Sequence, residues 1–323
     1  MYFRGIRRWY YDNKIKIWTT IFIVIGIIFF VQIANSYYIN KSKNDVQVGK
    51  QEENAKKKKL EEINNNITGS LTQDRSPISG VSMDKAQLKS DCSLIDEFIN
   101  DCNSNKTQEA YELLTDECKE LFYPTIDDFK NIYYQNLYST KKTYKLENWI
   151  GNTYKVIFME DALTTGKIGS NEMIKQDYFT IVDNRLNINS YIGRKKIDKI
   201  SKSNEIYFNV IYKDIFMDYE IYNLDIKNLS EKIVFLDDET NTKSIAIQDT
   251  NEVKNYLYSG ELNYDNLKLA PGQTINLRLK FSKTFSLNRS MDKMIFTRVI
   301  LDYNIYMENE KNYEDYKTII VSI

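Results

Sequence analysis

The 323-residue sequence contains no histidine. This absence excludes Ser-His-Asp and Cys-His catalytic groups, histidine general bases and every zinc site with a histidine ligand. Cysteine is scarce as well: the three copies, Cys92, Cys102 and Cys118, match no zinc-binding spacing. On one helix, Cys92 and Cys102 would stand about 15 Å apart, too far for a disulfide. A Cys102–Cys118 bridge stays open if two helices pack there, and buried free thiols are favoured.

Neither sign of charge dominates the chain, which has 44 Lys and Arg against 45 Asp and Glu and a net charge of -1. Nucleic-acid-binding domains are normally basic, so we expect no nucleic-acid partner. Without histidine or a nucleophile motif, we predict no catalytic residue, no metal site, no cofactor and no enzyme activity.

Two groups of carboxylates were weighed against this prediction. Asp237, Asp238 and Glu239 lack the alternating spacing and the glycine of a calcium loop, which favours an acidic turn between strands. Glu160 and Asp161 follow a predicted strand, and a solvated strand end is favoured there. Neither group is predicted to carry chemistry.

One apolar run, Ile17 to Ala34, contains no charged residue. About twenty such residues span a bilayer as a helix, so we predict a transmembrane helix at 17–37. The run is longer than the roughly 7–15-residue core of a signal peptide, which favours an uncleaved anchor over a leader cut after Ser36. The anchor residues are Ile17, Trp18, Ile21, Phe22, Ile25, Ile28, Phe29 and Val31.

The flanks of this run predict its orientation. Residues 1–16 carry Arg4, Arg7, Arg8, Lys14 and Lys16, opposed by Asp12. Because the cytoplasmic flank of a span carries the excess of Lys and Arg, we predict a cytoplasmic N-terminus. The bulk of the chain is then extracytoplasmic and held at the cell membrane by a single span.

Residues 38–82 predict a flexible linker, since a charged stretch is followed there by segments rich in Asn, Gly and Ser. A first domain is predicted at 83–200, with helices before about Lys142 and short strands after it. The apolar stripe of its first helix is Leu88, Cys92, Ile95, Ile99 and Cys102. The inner face of its last helix is predicted to be Phe129, Ile132, Tyr133 and Leu137.

The order of these elements, a long helix, a short gap, the segment EAYELLT, a helix bounded by Pro124 and then a sheet, resembles the nuclear-transport-factor-2-like α+β cone over about Leu88 to Ile197. Membrane-anchored copies of this cone occur in inner-membrane scaffold proteins of bacterial conjugation and type IV secretion machines. Other cones form ligand pockets, and a few are enzymes. The resemblance implies a curved sheet wrapped against helices.

A second, all-β domain is predicted at 203–323. From Thr274 to Phe281 apolar and polar residues alternate, so one face is buried and the other wet. About seven such strands separated by turns predict an immunoglobulin-like sandwich. The predicted fold class is therefore α+β: an N-terminal transmembrane helix, a nuclear-transport-factor-2-like α+β cone and an all-β immunoglobulin-like sandwich.

Tyrosine is abundant, with 25 copies. Exposed Tyr and Trp are typical of protein–protein surfaces, and the residues predicted to contact partners at the mouth of the cone are Tyr133, Tyr138, Tyr144 and Trp149. We expect an anchored extracytoplasmic binding or scaffold protein of a bacterial envelope, in a conjugation or secretion assembly. Its partners are the membrane and envelope proteins, and self-association stays open. The alternative is a sensing module that holds a peptide, lipid or wall fragment in the cone. An enzyme with Asp, Glu and Tyr chemistry ranks third.

Overall fold

A computed structural model describes residues 69–160, 173–238, 243–258, 260, 262–282 and 290–323. They form a mixed chain that is mostly sheet with few helices. The predicted transmembrane helix at 17–37, with all its anchor residues, lies outside the described residues. Within the described ranges, no helix is both long and apolar enough to cross a membrane.

The helices lie mainly before the first long strand. Their bounds are α1 Lys85–Asn103, α2 Thr107–Glu112, α3 Asp116–Phe122, α4 Ile126–Asp128, a π-helical turn at Phe129–Tyr134 and α5 Gln135–Leu137. The predicted apolar stripe of α1 is confirmed, because all five of its residues are buried. Side chains satisfy the free N–H groups at the helix starts: Asp84 caps α1, Thr115 caps α3, and Thr125 with Asp128 forms a capping box on α4.

The last helix differs from its predicted inner face. Phe129, Tyr133 and Leu137 are buried as predicted, but Ile132 is 56% exposed. The prediction for Ile132 was wrong because this turn is π-helical. A π-helical turn holds more residues than an α-helical turn, and Ile132 is rotated away from the core.

A five-stranded sheet packs with these helices. Its strands are β1 Ser70–Gln73, β2 Lys142–Ile150, β3 Thr153–Glu160, β4 Met173–Val182 and β5 Arg185–Asn187, in the order β1-β2-β3-β4-β5. Asp183 and Asn184 form the turn between β4 and β5, both with positive φ. Strand β1 pairs in parallel with β2. Residues 70–73 therefore differ from the predicted linker at 38–82: backbone pairing with β2 and burial of Leu71 order them.

The remaining strands form two four-stranded antiparallel sheets and a short pair. The strand bounds are β6 Tyr191–Ser203, β7 Ile206–Phe216, β8 Tyr219–Asn228, β9 Val234–Phe235, β10 Ile245–Asp249, β11 Lys254–Tyr256, β12 Lys268–Leu269, β13 Thr274–Ser282, β14 Met291–Val299 and β15 Lys317–Ser322. One sheet has the order β13-β8-β7-β6 and the other β11-β10-β14-β15, while β12 pairs with β9. Short 3-10 turns occur at Tyr264–Leu267 and Glu310–Asn312.

Both four-stranded sheets contribute to one apolar core. Leu277, Leu279 and Phe281 of β13 are buried, as the alternation predicted, and Phe208 of β7 lies 5.5 Å from Phe296 of β14 between ring centroids. One element departs from the predicted all-strand pattern: helix α6, Tyr303–Glu308, capped by Asp302.

Strand β6 lies where the two predicted domains meet. The predicted first domain ends at 200, yet β6 starts at Tyr191 and pairs with β7 over its length. The change from one sheet to the next therefore falls between Asn187 and Tyr191, where Asn189 and Ser190 both have positive φ. Continuous pairing with β7 explains the difference, and the described residues belong to one compact unit, Ile63–Ile323.

The edge strands of this pair of sheets make local contacts at both flanks. Along β13, the N–H of Tyr258 donates to the carbonyl of Lys280 at 2.9 Å, and Leu257 bridges Phe281. Between β6 and β15, the N–H of Ser322 donates to the hydroxyl of Ser201 at 3.3 Å.

Candidate functional site

Three of the four predicted partner contacts are buried. Tyr133, Tyr138 and Tyr144 have at most 6% of their surface exposed, and only Trp149 is partly exposed. These three tyrosines are therefore not surface contacts: Tyr133 faces inward from the π-helical turn, Tyr144 faces inward from β2, and Tyr138 directly follows α5. Trp149 packs edge-on against Tyr178 at 5.3 Å between ring centroids.

The space between the helices and the five-stranded sheet is filled with aromatic rings. Phe129 stacks on Tyr133 at 5.5 Å, and Phe98 meets Phe179 edge-on at 5.7 Å. The buried rings of this cluster are Phe98, Tyr123, Phe129, Tyr133, Tyr138, Phe158 and Phe179. These side chains occupy the interior in which a cone-shaped ligand pocket would lie.

Two hydroxyls in this aromatic cluster, those of Tyr133 and Tyr138, are buried near each other, and neither forms a hydrogen bond of ordinary geometry with a described residue. Burial raises the pKa of both phenols well above the ordinary value. Both hydroxyls therefore stay protonated at neutral pH. An unpaired buried hydroxyl costs free energy of folding.

The buried carboxyl of Asp177 is held by hydrogen bonds from backbone groups. Asp177 accepts the N–H groups of Tyr178, Asn189 and Ser190 at 2.7, 3.0 and 2.8 Å. It thereby ties β4 to the chain segment that leads into β6. Burial raises the pKa of Asp177, and the charge of Lys175 and these bonds partly oppose the rise. This carboxyl is committed to backbone groups, which is a structural use.

A charged cluster joins helix α3 to strands β6 and β7. The guanidinium of Arg194 donates to Asp214 at 2.8 Å and to Glu120 of α3 at 3.0 Å, and it lies 4.0 Å from the ring centroid of Tyr212. The hydroxyl of Tyr191 also donates to Asp214, at 3.1 Å. Asp214 is buried, so this cluster pairs its charge and fixes the start of β6.

Two of the carboxylates considered above as cation ligands, those of Asp237 and Asp238, accept hydrogen bonds from other side chains. Asp238 accepts from Arg298 at 3.0 and 2.8 Å and from the hydroxyl of Tyr316 at 2.6 Å, and Asp237 accepts from Ser244. Glu160 ends β3, whereas Asp161 and Glu239 lie outside the described residues. Among the residues that the structure describes, no cluster of three metal-ligating side chains occurs.

The cysteines contact neither one another nor solvent. Cys92, Cys102 and Cys118 are free and buried, which confirms the favoured prediction. Burial raises the pKa of Cys92 and Cys118 to about 12. These thiols are therefore protonated and unreactive in the folded protein.

A cavity of about 320 Å³ opens where β6 and β7 meet the ends of β14 and β15. Four lysines and one aspartate line it, together with a wall of apolar side chains. The lining residues are Lys195, Lys196, Ile197, Lys199, Lys213, Tyr222, Ser290, Met291, Asp292 and Ile323. We call it the lysine cavity.

A β-bulge places these lysines together. The pairing register of β6 with β7 shifts between Lys196 and Lys199, and Asp198 has a φ of 50°. Residues that oppose each other across an antiparallel pair share one face of the sheet. Lys199 opposes Val210, a core residue, and Ile197 packs against the same core. Ile197 and Lys199 thus flank the extra residue of the bulge.

Three of the four lysines have fixed partners. The ammonium of Lys199 donates to the backbone oxygen of Ile323 at 2.8 Å, and Lys196 pairs with Asp198 at 2.5 Å. Lys213 pairs with Glu220 at 2.9 Å. Lys195 makes no ion pair within the described part of the chain. It stands directly opposite Lys213 across the strand pair.

Sequence analysis missed the lysine cavity. The segment RKKIDKISKS has the composition of a solvated strand, and the signal that distinguishes it is the non-glycine positive φ at Asp198, which the sequence does not show. A second cavity of about 260 Å³ includes Arg278, Lys280 and Tyr258 in its lining. There Lys280 already lies 4.2 Å from the ring centroid of Tyr219.

No protein-family model matches the chain. No curated protein matches it either. Limited likeness to solved structures is found. The yjhA protein from Bacillus subtilis is 14% identical with a TM-score of 0.28, over 40% of this chain and 98% of that chain. A conserved hypothetical protein from Bacillus anthracis is 11% identical with a TM-score of 0.22, over 40% of this chain and 90% of that chain. A functionally unknown protein from Listeria monocytogenes EGD-e is 9% identical with a TM-score of 0.24, over 42% of this chain and 82% of that chain. These scores are too low to carry an argument about this chain.

Proposed function

We propose that the protein is a single-pass, membrane-anchored, extracytoplasmic binding and scaffold protein of a bacterial cell envelope, which works by holding partners and not by turning over a substrate. The observation that carries the proposal is the aromatic filling between the helices and the five-stranded sheet. Because Phe98, Tyr133 and Phe179 occupy that interior, a ligand or reaction pocket of the cone type has no room there. This weakens both the cone-pocket alternative and the enzyme alternative.

Two fold assignments belong to the same proposal. The helices with the five-stranded sheet correspond to a nuclear-transport-factor-2-like cone, and the two four-stranded sheets to an immunoglobulin-like sandwich. What supports the first is the order of α1 to α5 before an antiparallel run of strands. What supports the second is a single apolar core with residues from both four-stranded sheets.

Cysteine labelling on intact cells tests the location. The native cysteines are buried, so the unaltered protein is a silent background. Lys254→Cys places one thiol on an exposed strand residue, and a membrane-impermeant maleimide should label it on intact cells. Phe179→Cys, at a buried position, is the matched control and should stay unlabelled until the protein is denatured. Labelling of Lys254→Cys only after cell lysis would reverse the proposed topology.

Photo-crosslinking tests the scaffold role. A benzophenone amino acid at the exposed Ile132 or at Trp149 should form a covalent adduct with an envelope protein in living cells. The same amino acid at the buried Phe158 should give no adduct. If neither surface position forms a protein adduct in cells that express the protein at its native level, the scaffold proposal is wrong.

A further inference from the structure

We propose that the lysine cavity is a binding site for the phosphate group of a small organophosphate such as a phosphoglycerol. This site goes beyond the proposed function, which assigns no role to the cavity. The argument uses the charge of the cavity, the position of Lys195, and the size and polarity of the walls.

The charge of the cavity is positive on balance. Four lysines and Asp292 line it, and Asp198 and Glu220 pair with two of the lysines, which leaves an excess of one positive charge. A cleft lined by one sign of charge concentrates ions of the other sign. The cavity therefore attracts an anion.

The position of Lys195 identifies where the anion binds. Like charges directly opposite each other on a sheet destabilise the strand pair, and Lys195 stands opposite Lys213. Glu220 pairs with Lys213 but not with Lys195. An anion between the two ammonium groups would relieve this repulsion and supply the partner that Lys195 lacks within the described residues.

The donor set suits phosphate. Lysine binds phosphate as a point charge, and the guanidinium fork of arginine recognises phosphate and carboxylate alike. The lining contains four lysines and no arginine, and Ser290 adds a hydroxyl. Tyr222 adds little to binding, since its hydroxyl already donates to Glu220.

The walls set the size and character of the ligand. A volume of about 320 Å³ is at the small end of ligand pockets, so it admits a phosphate with a short organic group. Ile197, Met291 and Ile323 supply apolar surface beside the lysines. A three-carbon polyol phosphate fits this combination, and it occurs both as a free metabolite and as a lipid headgroup.

Calorimetric titration of the full-length protein in neutral detergent at low salt tests the proposal. The probes are glycerol 3-phosphate and glycerophosphoglycerol, with glycerol and acetate as the uncharged and carboxylate controls. Lys195→Gln should weaken glycerol 3-phosphate binding about tenfold, the loss expected for one charge-assisted hydrogen bond. Lys202→Gln removes the same charge from the same strand outside the cavity and should change the affinity less than twofold. Added salt should weaken binding to the unaltered protein.

The outcomes distinguish a lipid headgroup from a free phosphate ester as the ligand, and they also show when the proposal is wrong. Tighter binding of glycerophosphoglycerol assigns the site to a lipid headgroup, and tighter binding of glycerol 3-phosphate assigns it to a free phosphate ester. Binding of neither probe overturns the proposal, as does acetate binding of equal strength or an equal loss in Lys202→Gln. Lys195 is exposed and unpaired within the described residues, so its variant should melt as the unaltered protein does. A loss in Lys195→Gln would leave surface labelling of Lys254→Cys unchanged, so this proposal and the proposed function fail independently.

Discussion

Removing the hydroxyl of Tyr133 should stabilise the protein. In Tyr133→Phe the ring keeps its stacking on Phe129 at 5.5 Å and its contact with Phe98 at 6.1 Å. Only the hydroxyl is lost, and that hydroxyl is buried without a hydrogen bond of ordinary geometry to a described residue. Because an unsatisfied buried polar group costs about 1–3 kcal/mol, we expect the free energy of unfolding to rise by about 1 kcal/mol.

Tyr154→Phe is the matched control with the opposite sign. It removes the same atom from another buried tyrosine, but this hydroxyl donates to the buried carboxyl of Asp91 at 2.8 Å. Among the described residues, Asp91 then keeps the bond from Gln87 at 2.6 Å. A hydrogen bond to a charged group contributes about 1.5–3 kcal/mol, so this variant should lose about 2 kcal/mol.

Thermal melting of the full-length protein in one detergent, followed by near-UV circular dichroism, measures both changes. For a unit of this size, each kcal/mol moves the midpoint by about 2–4 °C. Tyr133→Phe should therefore melt about 2–4 °C higher and Tyr154→Phe about 4–8 °C lower. A midpoint for Tyr133→Phe more than 2 °C below that of the unaltered protein would refute the reasoning, because it would mean that this hydroxyl is bonded in the folded state.

Two further predictions concern a buried charge and the thiols. Arg194→Met should destabilise the protein by about 3 kcal/mol, since it leaves the buried Asp214 without its guanidinium partner. The control Arg185→Met breaks an exposed ion pair and should move the melting midpoint by less than 2 °C. Equal shifts of the midpoint in the two variants would contradict this prediction. Iodoacetamide at pH 8 should modify none of the thiols of Cys92, Cys102 and Cys118 in the folded protein within an hour, and all three in denaturant. Intact-mass measurement counts the modified thiols. Rapid modification of the native protein would show that burial does not protect them.

Elements that depend only on residues close together in the sequence were predicted correctly. The helical stripe of α1 and the alternating strand β13 depend on the spacing of apolar residues along the chain. Each is determined within a few residues along the chain. The sequence therefore shows these elements without knowledge of the fold.

Features that depend on distant partners were missed or misjudged. The short polar strand β1 exists because β2 pairs with it, 75 residues away at Ser70 and Lys145. The burial of Tyr133, Tyr138 and Tyr144 follows from what packs on them, since tyrosine suits both a core and a surface. The lysine cavity lies beside the bulge at Asp198, where β6 and β7 meet the ends of β14 and β15, which are distant along the chain. None of these has a local signal.

Contacts at the flanks of the two four-stranded sheets restrict where another chain can add to them. A free sheet edge offers a row of N–H and C=O groups to which another chain can add a strand. Here the N–H of Tyr258 donates to the backbone of β13, and the N–H of Ser322 in β15 donates to Ser201 of β6. These two N–H groups are not available to a neighbouring copy. At these positions, contacts between copies should use side chains and not added strands.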